Sequence, residues 1–99
     1  MRLTRSRRLM EQRKSVELAV AAYVAWREEC KSVRAAYLTW RRARTAEAPR
    51  AFDAYEAALD REEVAANVYA VLVRRVGHVA ELGLAYQLTY PAAAPGAQS

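Results

Sequence analysis

Apolar side chains recur in a seven-residue pattern over residues 9–40. The pattern has two sets of positions, Leu9, Val16, Tyr23, Cys30 and Tyr37, followed three residues later by Gln12, Ala19, Trp26, Val33 and Trp40. A sustained heptad of this kind is typical of a long α-helix that packs along its length against another helix. Neither Gly nor Pro interrupts the stretch, so we predict one helix from about residue 9 to residue 44, with these ten positions buried.

A second apolar stripe follows the only proline in the middle of the chain, Pro49. Its positions are Phe52, Tyr55, Leu59, Glu62, Ala66, Tyr69, Val73, Val76, Val79, Gly83 and Tyr86. Proline suits the first turn of a helix, where its missing N–H is not needed, and Thr45 is a candidate cap. We predict a turn at 45–49 and a second helix from about 49 to 90. A break at Gly77 or Gly83 is the alternative to one continuous helix.

A short turn makes two helices antiparallel neighbours, and this fixes which residues face each other. Facing residues then have numbers that add up to about 95, so that Trp40 meets Tyr55 and Trp26 meets Tyr69. The fold class expected is all-α, a long antiparallel two-helix hairpin resembling a coiled coil, with helices of about 60 Å. Two interhelical ion pairs are expected beside the stripes, Arg41–Glu56 and Arg34–Glu63.

A further apolar stripe on the second helix lies away from this contact. It consists of Val64, Val68, Val71 and Leu72. A two-helix hairpin has one internal interface, so an additional apolar stripe indicates contact with another chain. Homodimers are the commonest oligomers, and we therefore expect a homodimer that forms a four-helix bundle through these residues. A different protein partner would explain the same stripe.

Basic residues are concentrated at the two ends of the predicted hairpin. The candidate polyanion-binding residues are Arg2, Arg5, Arg7, Arg8, Arg13, Lys14, Arg41, Arg42, Arg44 and Arg50. Residues 1–14 carry a net charge of +5 and residues 41–50 a net charge of +3, whereas the remainder carries −3. Basic clusters of this kind bind phosphate backbones without sequence preference. Solvated helix ends are the alternative explanation.

The amino-acid composition limits the fold class and the kinds of chemical site that the chain can form. The chain has 22 alanines, 14 arginines and 3 glycines among 99 residues, which favours helix throughout. Its single cysteine excludes a disulfide within the chain and favours a reducing, cytoplasmic location. One histidine and one distant cysteine do not make a metal site, and no nucleophile–base pair or phosphate-binding loop is present. We therefore expect no catalytic residues, no metal and no cofactor, and no insertion into a membrane.

These observations predict one domain with three parts: a basic, partly disordered arm at 1–8, the helical hairpin at 9–90 and a disordered tail at 91–99. The aromatic residues of the stripes are expected in the core, and Glu62 is expected to lean towards Arg34 or Arg61. The function predicted is that of a non-enzymatic interaction or assembly module acting through self-association and protein–protein contacts. The alternative is a small nucleic-acid-binding regulator that uses its basic arm and the basic tip of the hairpin.

Overall fold

Two long α-helices and the turn between them make up the described part of the protein. A computed structural model describes the backbone of residues 5–89 and the side chains of residues 5–78 and 80. Helix α1 extends over Arg5–Arg42 and helix α2 over Ala48–Thr89, and the described residues contain no β-strand. The structure measures 73 × 29 × 16 Å. The predicted all-α fold and elongated two-helix hairpin are confirmed.

The helix boundaries differ slightly from those expected. Helix α1 begins at Arg5, so residues 5–8 of the predicted arm are helical, whereas residues 1–4 and the tail at 91–99 lie outside the described residues. Helix α2 continues through Gly77 and Gly83, and no residue of the described chain has a positive φ. The prediction of one continuous second helix is confirmed.

The turn is closed by backbone hydrogen bonds around Arg44. The Arg44 carbonyl accepts from the N–H groups of Glu47 at 2.8 Å and Ala48 at 2.9 Å, and the Glu47 carbonyl accepts from Ala51 at 3.0 Å. Glu47 therefore occupies the N-cap position of α2, and the prediction that Thr45 caps this helix was wrong. Pro49 lies in the first turn of α2, as expected.

The register between the helices follows from two stacked ring pairs. The ring centroids of Trp26 and Tyr69 are 5.7 Å apart, and those of Trp40 and Tyr55 are 5.6 Å apart. In each pair the residue numbers add up to 95, so the predicted antiparallel register is confirmed over the two heptads that separate the pairs on each helix.

The helix contact itself is made by small side chains. The buried residues of the described chain are Ser15, Ala19, Ala22 and Ala58, and none of its large side chains is fully buried. The radius of gyration is 21.7 Å, whereas a globular chain of this length would have about 13 Å. A single copy is thus a thin rod whose core consists of alanine and serine, supplemented by half-buried aromatic rings.

Part of the predicted heptad lies outside the contact. Leu9, Val16 and Tyr23 were expected to be buried but are 58%, 43% and 44% exposed, whereas Cys30 and Tyr37, nearer the turn, are half-buried. A straight α-helix turns by about 20° per heptad relative to an ideal seven-residue repeat, so this set of positions leaves the contact in the half of α1 that is farther from the turn. The prediction of ten buried positions was therefore wrong for this half of the heptad.

Candidate functional site

The sequence contains an aromatic motif that occurs twice on α1. Residues 23–27 read Tyr-Val-Ala-Trp-Arg, and residues 37–41, two heptads later, read Tyr-Leu-Thr-Trp-Arg. Each Tyr and Trp of a motif meets one tyrosine of α2, Tyr69 for the first motif and Tyr55 for the second. The heptad reading included these rings but missed the repeat, although the two matching segments are recognisable in the sequence.

The two aromatic clusters have nearly the same geometry. Trp26 and Tyr69 stack with an interplanar angle of 11°, and the corresponding angle in the second cluster is 13°. Within α1 the Tyr–Trp pairs are edge-to-face, with centroid distances of 6.0 and 6.1 Å. Phe52 adds a ring 5.0 Å from Trp40 at the turn. Each ring contacts another ring across the hairpin, so these aromatic residues join the two helices. Tyr23 and Phe52 are nevertheless exposed, and the prediction that they lie in the core was wrong.

Glu62 lies beside the first aromatic cluster and has a different partner from those expected. Its Oε2 accepts a hydrogen bond from Trp26 Nε1–H at 2.7 Å. Arg61 Nε instead donates to Glu29 Oε2 at 3.2 Å, which forms an ion pair between the helices. The prediction that Glu62 leans towards Arg34 or Arg61 was wrong, because the indole N–H on the facing helix is within reach of the carboxylate.

The two predicted interhelical ion pairs, Arg41–Glu56 and Arg34–Glu63, are not formed between the described side chains. Arg41 Nη1 donates to the Tyr37 hydroxyl at 3.0 Å, and its guanidinium carbon lies 5.8 Å from the centroid of that ring. All four charged residues of the predicted pairs are exposed on the surface of the hairpin.

The four residues predicted to mediate self-association lie on the surface of α2. Val64 is 63% exposed, Val68 and Val71 are also exposed, and Leu72 is half-buried. Val64 also borders a shallow groove of about 400 Å³ between the helices, lined by Ala25, Glu29, Asp60, Arg61, Val64 and Ala65. The stripe is thus available for contact with another chain, and its use in self-association stays a prediction.

The predicted polyanion-binding residues lie at the two ends of the rod. Arg41, Arg42, Arg44 and Arg50 surround the turn, and all four are exposed. At the opposite end of α1, Arg5, Arg7, Arg13 and Lys14 are exposed and Arg8 is half-buried, whereas Arg2 lies outside the described residues. The structure therefore does not bring the two basic groups together within one chain.

The described residues were also compared with the geometry of metal sites and of membrane-spanning helices. Their side chains include no group of three or more His, Cys, Asp or Glu residues that could hold a metal ion, and Cys30 is a half-buried free thiol. Neither helix, over the residues described, has a stretch apolar enough to cross a bilayer. Comparisons of the chain with protein-family models, with curated proteins and with solved structures found no match.

Proposed function

We propose that the protein is a non-enzymatic helical assembly module that works by self-association and by contacts with other proteins. One observation carries this proposal: the residues buried within the described hairpin are small, whereas most of its large aliphatic side chains are exposed. The exposed set includes Leu9, Val16, Leu59, Val64, Val68 and Val73. Burial of aliphatic surface is the main stabilising contribution to a fold, and here much of it is left for another chain.

The accessible surface leads to the same proposal. The chain exposes 8018 Å², whereas a compact globular protein of 11.1 kDa exposes about 5,700 Å². A standard protein–protein interface removes about 800 Å² from each partner. One such interface on an apolar side of the rod would remove only part of this excess, which is compatible with the proposed dimer.

The expected oligomeric state is a dimer that forms a four-helix bundle. Sedimentation equilibrium of the full chain, from 1 to 100 μM in reducing buffer, measures it directly. We expect a mass of twice 11.1 kDa at the upper concentrations. A monomer throughout this range would contradict the proposal of self-association. A reducing cytoplasm is the compartment we propose, since the chain has one cysteine.

A second candidate function, binding of nucleic acid as a small regulator, is favoured by the basic turn. Arg42, Arg44 and Arg50 are exposed there, and none of them forms an ion pair with another described residue. Exposed arginines that form no ion pair are available to phosphates, and contacts to phosphates carry no sequence information.

Salt dependence tests this second function. If the turn binds nucleic acid, the logarithm of the association constant for duplex DNA or single-stranded RNA should fall with that of the salt concentration, by about 0.9 for each phosphate neutralised. The variant Arg42→Gln/Arg44→Gln should reduce this slope. The variant Arg74→Gln/Arg75→Gln removes the same charge from exposed positions of α2 far from the turn and should change it less. Equal slopes in the two variants, or no binding at low salt, would exclude the basic turn as the binding site.

A further inference from the structure

One side of the hairpin, here called the apolar face, carries exposed apolar side chains from both helices. It consists of Leu9, Val16 and Tyr23 of α1 and Phe52, Leu59 and Val73 of α2. Phe52 contacts Trp40 and Tyr23 contacts Tyr69 across the helix contact, so the two halves of the face adjoin each other. The ion pair between Glu29 and Arg61 and the shallow groove lie on the opposite side.

The two edges of the apolar face carry opposite charges. On α1 the edge contains Arg13 and Arg27, four residues after Leu9 and Tyr23, and also Arg34 and Arg41, four residues after the half-buried Cys30 and Tyr37. On α2 the corresponding edge contains Glu56 and Glu63, four residues after Phe52 and Leu59. Residues four apart lie on the same side of a helix, so these charges border the face directly. All six charged residues are exposed.

Two copies can pack through this face in two symmetric ways. A two-fold axis along the rod places α1 of one copy on α2 of the other, so the arginine edge lies beside the glutamate edge. A two-fold axis across the rod places α1 on α1, so one arginine edge lies beside the other. Like charges side by side weaken an interface, and opposite charges fix its orientation. We propose that a second copy of this chain covers the apolar face with both turns at the same end of the dimer.

The symmetry also determines the register between the two copies. Rotation about an axis along the rod does not shift any residue along that axis, so each residue lies at the same axial position as its counterpart in the other copy. Facing residues of different chains therefore also have numbers that add up to about 95. Arg41 and Glu56 are each one residue from the Trp40–Tyr55 layer, and Arg34 and Glu63 are each one residue from the Val33–Glu62 layer. Both arginines are therefore within about 3 Å, along the axis, of the partner's glutamates. The ion pairs Arg41–Glu56 and Arg34–Glu63, which are not formed within one chain, can therefore form between two chains.

This inference rests on the proposed self-association and adds its surface and orientation. It assigns the interface to the apolar face, and it leaves the stripe of Val64, Val68 and Val71 on the outside of the dimer. A protein of another kind can then bind the stripe while the dimer stays intact. The test must therefore separate loss of self-association from use of a different surface.

Mixing two charge-reversed chains tests the orientation. One chain carries Arg34→Glu and Arg41→Glu, and the other carries Glu56→Arg and Glu63→Arg. Each chain alone places like charges at four sites of the proposed dimer and should dimerise at least about tenfold more weakly than the parent. Mixed in equal amounts, the two chains should form a heterodimer with at least the affinity of the parent dimer, because all four sites again join opposite charges. Sedimentation equilibrium with one chain fluorescently labelled measures each association constant, and far-UV circular dichroism verifies that both chains are helical.

The remaining outcomes distinguish the proposed self-association from the proposed interface and its orientation. A parent that stays monomeric would contradict the proposed function itself. A parent dimer that the reversed charges leave unchanged but that Val68→Glu dissociates would place the interface on the stripe, which overturns the inference and retains self-association. An Arg34→Glu/Arg41→Glu chain that dimerises more tightly than the parent would indicate α1 packed on α1, the orientation that we reject.

Discussion

Replacing Trp26 with alanine should lower the free energy of unfolding by about 3 kcal/mol, the lower end of the range for large aromatic residues because the indole is half-buried. The substitution removes the ring that stacks on Tyr69 at 5.7 Å and the edge-to-face contact with Tyr23. It also leaves the Glu62 carboxylate without the N–H that donates to it at 2.7 Å. Urea denaturation followed by circular dichroism, at one fixed protein concentration, measures the change.

Two further variants separate the causes of this loss. Trp26→Phe retains a stacked ring but removes the hydrogen bond to Glu62, and it should cost about 1 kcal/mol. Val24→Ala alters a neighbouring exposed residue of the same helix and should change stability by less than about 0.5 kcal/mol. A Trp26→Ala variant no less stable than Val24→Ala would mean that the aromatic cluster does not hold the helices together.

Replacing Ala58 with leucine should cost about 2 kcal/mol, because the space between the helices is closed at this position. Ala58 is 1% exposed, the least exposed side chain among the buried residues of the hairpin. Three added heavy atoms would push α2 away from α1 or force neighbouring side chains out of their preferred rotamers. The same denaturation experiment measures the effect, since alanine and leucine are both strong helix formers.

The adjacent residue provides the matched control. Ala57 is exposed on the same helix, so Ala57→Leu makes the same chemical change without entering the helix contact. We expect Ala57→Leu to alter the free energy of unfolding by less than about 0.5 kcal/mol. If Ala58→Leu were as stable as Ala57→Leu, the close approach of the helices at Ala58 would be disproved.

The register of the hairpin could be predicted from sequence because two independent patterns had to agree. The heptads of α1 and α2 were read separately, and Pro49 limited where the turn could be, so only one alignment placed Trp26 and Trp40 opposite tyrosines. The rotation of each helix about its own axis could not be predicted in the same way. It depends on how far the helices supercoil, and the residues at the actual contact, such as Ser15 and Ala22, carry a weak hydrophobic signal.

Individual polar contacts were predicted less well than the fold. Sequence spacing places Arg41 near both Glu56 and Tyr37, and the hydrogen bond to the Tyr37 hydroxyl is the one formed. Likewise, Glu62 bonds to the indole of Trp26 instead of to an arginine. A long side chain on an exposed edge has several partners of similar energy within reach, and spacing alone does not rank them. The basic turn, Val64 and Val68 are exposed, and their roles in binding and self-association stay predictions.

The repeated aromatic cluster relates the length of the hairpin to the number of sequence repeats. The clusters are two heptads apart on α1, from Trp26 to Trp40, and also two heptads apart on α2, from Tyr55 to Tyr69. A matched duplication of two heptads in each helix would lengthen the rod by about 21 Å and add another Trp–Tyr pair. Two heptads fall about 40° short of a whole number of turns in a straight helix, so the added pair would face its partner only if the two helices coil around each other over the added length. The reach of such a protein is therefore set by the coiling of its helices as well as by the number of repeats.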